Sequence, residues 1–198
     1  MRTKKLFTIT GLALLFGVSS MLAADPSDPQ GGTSPSTDTT RGTGTRNDGQ
    51  RGQFSEKDWK FITEAARGGM AEVELGQLAK TKASNQAIRD FGDRMATDHK
   101  KANDELKQIV AKKGATLPTT LSHHENSTIE KFQKATGADF DEDYAEAMVK
   151  DHKTDVKAFE KASKDADDPD IKAFAAKYLP TLQEHLTMAE QNKSSLKK

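Results

Sequence analysis

The chain of 198 residues contains no cysteine. That excludes disulfide staples, thiolate metal ligands and lipid attachment to a cysteine behind a leader, so any core must hold by packing alone. Aromatic residues are scarce, at 6%. No run alternates apolar and polar residues at period two over the length of a strand, which argues against sheet. No block of like charge stands out, and 30 basic side chains balance 30 acidic ones. Nucleic acid and anionic membrane surfaces are therefore not expected partners. A glycine-rich phosphate loop, a nucleophile–base arrangement and a cysteine motif are all missing. The most complete absence is local. Residues 25–53 hold no Ala, Val, Ile, Leu, Met, Phe, Trp, Tyr or Cys. Such a segment cannot bury apolar area against its ordering entropy, and it is expected to be a disordered polar linker.

What is present falls into three parts. Residues 1–24 have a basic start at Arg2, Lys4 and Lys5, a mostly apolar run from Leu6 to Val18, and small residues from Ser19 to Ala24. This is the pattern of a cleavable secretory signal peptide. The apolar run is short for a membrane span and is interrupted by Thr8, Thr10 and Gly11, so the mature form is expected to have no transmembrane segment. Removing the three basic residues of the leader leaves 27 basic and 30 acidic side chains. Residues 54–198 form the fold, of a size that suits one domain with one core.

Residues 54–198 are rich in Ala, Lys, Glu, Asp and Leu, and their apolar positions recur every three to four residues. A first helix is expected from Ser55, as N-cap, to about Thr81. Its inward stripe includes Trp59, Ile62, Ala66, Gly69, Val73 and Gly76. A second is expected from about Ser84 to Lys113, stopped by Gly114. A connection of about 25 residues follows, broken by Pro118 and holding a short helix over 126–135. Two more long helices are expected over 139–166 and from Asp168 to about Asn192, the last with Pro169 at its first position and Pro180 inside. Four long helices, two short turns and one long connection make an all-α, ferritin-like four-helix bundle with one crossover.

Two segments resemble each other at an offset of 53. Both contain Met-x-x-Asp-His-Lys: Met95, Asp98, His99 and Lys100, then Met148, Asp151, His152 and Lys153. The last helix carries Glu184 and His185. The helical neighbours of His99, His152 and His185 are largely apolar, so all three imidazoles are expected to face the core, with the acids that precede them nearer its boundary. On the first helix Glu72 lies among Ala65, Gly68, Gly69, Leu75, Gly76 and Ala79 and should also face inward. One carboxylate and three imidazoles from four helices would suit Zn(II), Cu(II) or iron. The competing reading is four core residues, each hydrogen-bonded to a local neighbour.

These motifs make the sequence resemble the bacterial envelope family of domain of unknown function 4142. The matching pieces are Gly68-Gly69-x-x-Glu72, both Met-x-x-Asp-His segments, Gly114 with Leu117-Pro118, Phe140-Asp141-x-x-Tyr144, and Pro180 with His185. The resemblance implies a ferritin-like bundle in the periplasm or at the outer membrane, and no established activity. Di-iron proteins of that superfamily use Glu-x-x-His. Here Ala96, Val149 and Leu182 stand three residues before the histidines, which disfavours a carboxylate-bridged di-iron site. The sequence alone favours a non-catalytic structural, stress or interaction module of the envelope. The alternative is a metal-binding or redox protein using Glu72, His99, His152 and His185. The leader pattern generates the first prediction: N-terminal sequencing of the protein extracted from the cell envelope should begin near Asp25, and a start at Met1 would show an uncleaved anchor.

Overall fold

The computed structural model describes residues 49–196. The expected signal peptide and the linker up to residue 48 lie outside the described residues. Among the described residues the regular structure is helical: α1 (Glu56–Lys82), α2 (Gln86–Ala111), α3 (His123–Lys134), α4 (Gly137–Asp165) and α5 (Pro169–Leu196). The long helices fall where the apolar periodicity predicts them, with ends shifted by a few residues. Ser55 caps α1, its hydroxyl accepting from the Asp58 amide. Asn85 caps α2, two residues after the α1 C-cap. The short helix begins earlier than expected because Ser122 and Glu125 form a capping box, each side chain answering the other's backbone N–H. That places His123 and His124, exposed, in its first turn. Gly114 follows α2 at φ +68°, a left-handed conformation that closes a helix at little steric cost only for glycine.

The helices form two antiparallel hairpins, α1–α2 and α4–α5, joined by the crossover that carries α3. Each hairpin's turn is held by a buried carboxylate from the other. Asp58, early in α1, accepts from the backbone amides of Asp167 and Asp168 in the α4–α5 turn, at 3.1 and 2.8 Å. Asp141, early in α4, accepts from the amides of Ser84 and Asn85 in the α1–α2 turn, at 3.1 and 2.9 Å, and from the Ser84 hydroxyl. These contacts fix the directions. The α4–α5 turn lies beside the start of α1, and the α1–α2 turn beside the start of α4. Hence α1 runs parallel to α5 and α2 to α4, and the crossover must travel the length of the bundle. Residues 49–53 pack on the end of α2: Gln50 exchanges backbone hydrogen bonds with Thr116 at 2.9 and 3.0 Å.

Within the first hairpin the backbones of α1 and α2 touch. A Cβ on Gly76 would come within 2.5 Å of the Gly92 carbonyl oxygen, and one on Gly92 within 2.6 Å of the Ala79 Cβ. Glycine's propensity cost in a helix is offset here by contact that no other residue permits. The apolar core is divided along the axis. One cluster holds Leu75, Ile88, Phe91, Met95, Phe132, Phe140, Tyr144 and Met148. The other holds Phe54, Ile62, Leu106, Phe159, Phe174 and Leu182. Trp59, expected in the core, is half-buried and stacks on Phe54 with ring centroids 6.4 Å apart. Val73 is half-buried as well, because the buried arc of α1 is centred on Glu72 and Gly76.

Two glycines of α1 should respond in opposite ways. Gly76→Ala should destabilise the fold by about 1–3 kcal/mol through overpacking. At Gly68 an added Cβ meets nothing within 4 Å, so Gly68→Ala should stabilise by up to about 1 kcal/mol through helix propensity. Urea denaturation of the two variants gives the signs, and equal effects would show that the α1–α2 contact is misassigned.

Candidate metal centre

The two halves of the core are separated by a polar layer. On each long helix its residue lies between the two clusters: Glu72 on α1, His99 on α2, His152 on α4 and His185 on α5. All four are buried, at 2, 7, 0 and 0% exposure. Because the helices alternate in direction, positions near the middle of each meet at one height. The three rings gather closely. Centroids of His99 and His152 lie 5.7 Å apart, those of His99 and His185 5.4 Å, and those of His152 and His185 5.4 Å. One nitrogen from each ring lies within 4.8 Å of one from each of the others.

The hydrogen bonds divide the nitrogens of each ring into one that is engaged and one that is not. His99 Nδ1 is 2.9 Å from Glu72 Oε2. His152 Nδ1 is 3.1 Å from the Met148 carbonyl oxygen. His185 Nε2 is 2.9 Å from Asp98 Oδ2. A backbone carbonyl and the carboxylate of Asp98, paired with Arg94, only accept, so His152 Nδ1 and His185 Nε2 carry the protons; His99 Nδ1 does so when Glu72 is ionised. The remaining nitrogens, His99 Nε2, His152 Nε2 and His185 Nδ1, are buried with no partner. His152 Nε2 and His185 Nδ1 therefore present lone pairs, as does His99 Nε2 when Glu72 is the acceptor. An imidazole whose other nitrogen donates to a carboxylate or a backbone carbonyl is the arrangement that metal-ligating histidines adopt. Three on one centre leave a fourth position free, as in catalytic and open zinc sites.

Burial also holds the rings in the neutral form that binds metals. It pulls the pKa of His99 from 6.5 to about 4, against the pull of Asp155, Asp151 and Asp98. It lowers His152 to about 3, helped by the charges of His99 and His185. His185 falls to about 4, burial outweighing its bond to Asp98. At neutral pH the contact between His99 and Glu72 is thus a hydrogen bond to a neutral ring. The carboxyls move the other way. Burial, with Asp151 next to it, pushes Glu72 well above the carboxylate range. Burial, with Glu72 and Asp151, does the same for Asp155. Asp151, exposed at the edge of the layer, is raised too, because its carboxyl is partly desolvated where it meets Glu72. A cluster of acids that resists ionising, next to unprotonated imidazoles, is an environment in which a cation removes the mutual repulsion.

Glu72 meets the imidazoles from the side. Its Oε2 engages His99, and its Oε1, otherwise unpartnered, lies 3.6 Å from His152 Nε2. It also belongs to a second group of converging ligand atoms with Asp151 and His152. Reading the sequence misses what Asp98, Asp151 and Asp155 do. The repeated Asp-His pair was the signal for the first two, but a 100° turn from an inward histidine does not reveal that Asp98 reaches across to α5 while Asp151 reaches Glu72. Asp155 sits three residues after His152, on the same face of α4, where attention to the apolar stripe passes over it. Tyr144, two turns before His152, buries a hydroxyl with no partner.

Comparison with known proteins agrees with the fold. The family model "Domain of unknown function (DUF4142)" matches residues 43–191, and the chain belongs to that family. Among solved structures it is similar to a DUF305 fragment from Deinococcus radiodurans, with TM-score 0.62 and 10% identity over 72% of this chain and 98% of that one. It is also similar to a "putative secreted protein DUF305" from Streptomyces coelicolor, with TM-score 0.60 and 11% identity over 71% of this chain and 93% of that one. At such identity the likeness is one of fold. No curated protein matches the sequence. Among the described residues no helix is long and apolar enough to cross a membrane.

The depressed histidines set the direction of a pH effect. The unfolded chain takes up protons near pH 6.5, while the folded rings resist until about pH 4 or, for His152, about 3. Their contribution to stability is present above pH 6.5 and is lost as pH falls through that window. Titration of the imidazole C–H resonances of the metal-free protein should therefore leave His99, His152 and His185 neutral at pH 5.5. A midpoint above 6 for any of them would show that the ring is solvated.

Proposed function

We propose that this is an exported protein of the bacterial periplasm or outer membrane whose bundle holds a single transition-metal ion on His99, His152 and His185. The observation that carries the reading is that one nitrogen from each of three buried rings gathers within 4.8 Å of the others, while every ring also keeps one buried nitrogen without a partner. Three histidines satisfied separately in a core would not each leave a buried nitrogen unpartnered in one layer. Glu72 and Asp98 orient rings, and Glu72, ionised once a cation is beside it, is in reach as a further ligand. Three neutral imidazoles suit Zn(II), Cu(II) or iron, and Cu(II) binds nitrogen ligands most tightly of the common divalent ions. The role is non-catalytic: binding, storage or sensing of the ion, or an interaction that the ion stabilises.

The leader pattern supports export, and the name of the Streptomyces neighbour agrees with it. The length of the crossover and the pairing of the hairpins support placing the fold in the ferritin-like superfamily. The di-iron chemistry of that superfamily does not follow, because the residues three before each histidine carry no carboxylate.

Protein purified without chelator, or dialysed against Zn(II) or Cu(II), should carry one ion per chain by elemental analysis. His99→Ala and His152→Ala should each lower affinity at least tenfold, as should His185→Ala. Glu72→Gln should lower it by about 10–100-fold, the usual cost of losing an orienting partner. Retention of wild-type affinity by any one histidine variant would exclude that residue from the site. Absence of stoichiometric metal under all these conditions would return the protein to a purely structural module.

A further inference from the structure

Beside the imidazoles lies a cavity whose inner wall includes His99, His185 and Glu72 and whose outer wall includes Asp155, Gly68 and Thr181. It offers about 30 Å³ to the centres of water-sized molecules, room for about two waters. Two of its wall residues, His99 and His185, bear buried nitrogens with no partner, Nε2 and Nδ1. Its polar lining includes four carboxyl groups, on Glu64, Glu72, Asp98 and Asp155, and no Lys or Arg. Its apolar lining, Phe159, Phe174 and Leu182, belongs to one half of the core.

Gly68 is the residue that needs explaining. It sits inside α1 in a helical stretch, has no positive φ, and has open space where a side chain would stand. Neither backbone strain nor a close neighbour requires glycine there, unlike Gly76. Gly69 next to it is different again, since an added Cβ would meet the Asn103 side chain at 2.6 Å. What Gly68 leaves open is the rim of the cavity, between half-buried and exposed residues on one side and the buried imidazoles on the other.

Building on the metal reading above, we propose that this cavity admits a neutral hydrogen-bond donor of one or two heavy atoms, such as water or hydrogen peroxide, past Gly68 to the fourth position of the ion. The size of the cavity limits the ligand to such molecules. Its carboxyl groups exchange hydrogen bonds with such a donor, with Asp155 an acceptor on α4. Imidazole-sized ligands are excluded by volume, and anions by the cost of leaving water for a cavity lined by no Lys or Arg. The arrangement separates holding the ion from reaching it: three helices supply ligands, while α1 supplies an opening where the fourth ligand would come.

The probe is Cu(II) with water itself as ligand, read by water-proton relaxivity of the loaded full-length mature protein. Wild-type protein should show relaxivity above the outer-sphere level, from a water that exchanges at the copper. Gly68→Trp should lower it at least twofold while copper stoichiometry and helical circular dichroism stay unchanged. Thr181→Phe closes the same rim from α5 and should do the same, which guards against a folding defect in either variant alone. Gly68→Ala, too small to close the rim, should keep the wild-type value. Copper bound one per chain with only outer-sphere relaxivity in the wild type would overturn the open position and leave the metal reading intact. Wild-type relaxivity in both closing variants would overturn the entry path. Failure to bind copper at all would overturn the open copper position proposed here, and the metal reading would then stand or fall on the Zn(II) dialysis.

Discussion

Everything in this bundle is arranged around the cost of placing three unprotonated imidazoles and the carboxyl group of Glu72 in the middle of an apolar core. A buried polar atom without a partner forfeits its hydration and gets nothing in return, at about 1–3 kcal/mol each. The fold accepts this cost at His99 Nε2, His152 Nε2, His185 Nδ1 and Glu72 Oε1 within a single layer. It offsets the expense on either side with two complete apolar clusters. The split of the core into two clusters is thus the counterpart of the site, since no apolar side chain can occupy the layer that the imidazoles fill. Rings that stay neutral and acids that resist ionising have the same origin in burial, and a cation that draws on both relieves both.

Much of this was legible from residue order. Amphipathic periodicity places the four long helices, and the neighbours of each histidine at three and four positions show that it faces inward. Glu72 is read correctly as buried because its own neighbours are small or apolar, a local property. What sequence could not supply was relation between helices. That Asp98 bonds a ring on α5, that Asp151 meets Glu72 on α1, and that Asp155 borders a cavity all depend on the relative rotation of helices far apart in the chain. The same limit applies to the ends of the bundle. Asp58 stands in the first turn of α1, where an acid suits the helix dipole, and Asp141 about one turn into α4; neither position shows that both are buried and bind the turn of the opposite hairpin. Trp59 errs the other way: its size suggests core, but one position of rotation leaves it half-covered against Phe54.

The resemblance to a domain family carried the fold and no chemistry, and the likeness to DUF305 structures at 10 and 11% identity does the same. The site had to be built from its atoms. The decisive detail is small. Had His152 offered Nε2 to Met148, that nitrogen would not be left buried and without a partner. The helix sets this choice through the carbonyl of Met148, four residues back, which can be reached only from Nδ1. Backbone geometry thus selects the tautomer, and the tautomer selects what the layer can bind.

The reciprocal clamping of the turns bears on how such a chain could have arisen and on how it can come apart. Asp58 holds the turn of α4–α5, and Asp141 holds the turn of α1–α2. Each hairpin is therefore unfinished alone and completed by its counterpart, much as two halves of a clasp are. The crossover places Phe132 in one core cluster but supplies no residue to either clamp, so a chain cut within it would keep both clamps once the halves meet. Two hairpins of this kind, once separate molecules, would already have had the means to recognise each other before any linker joined them.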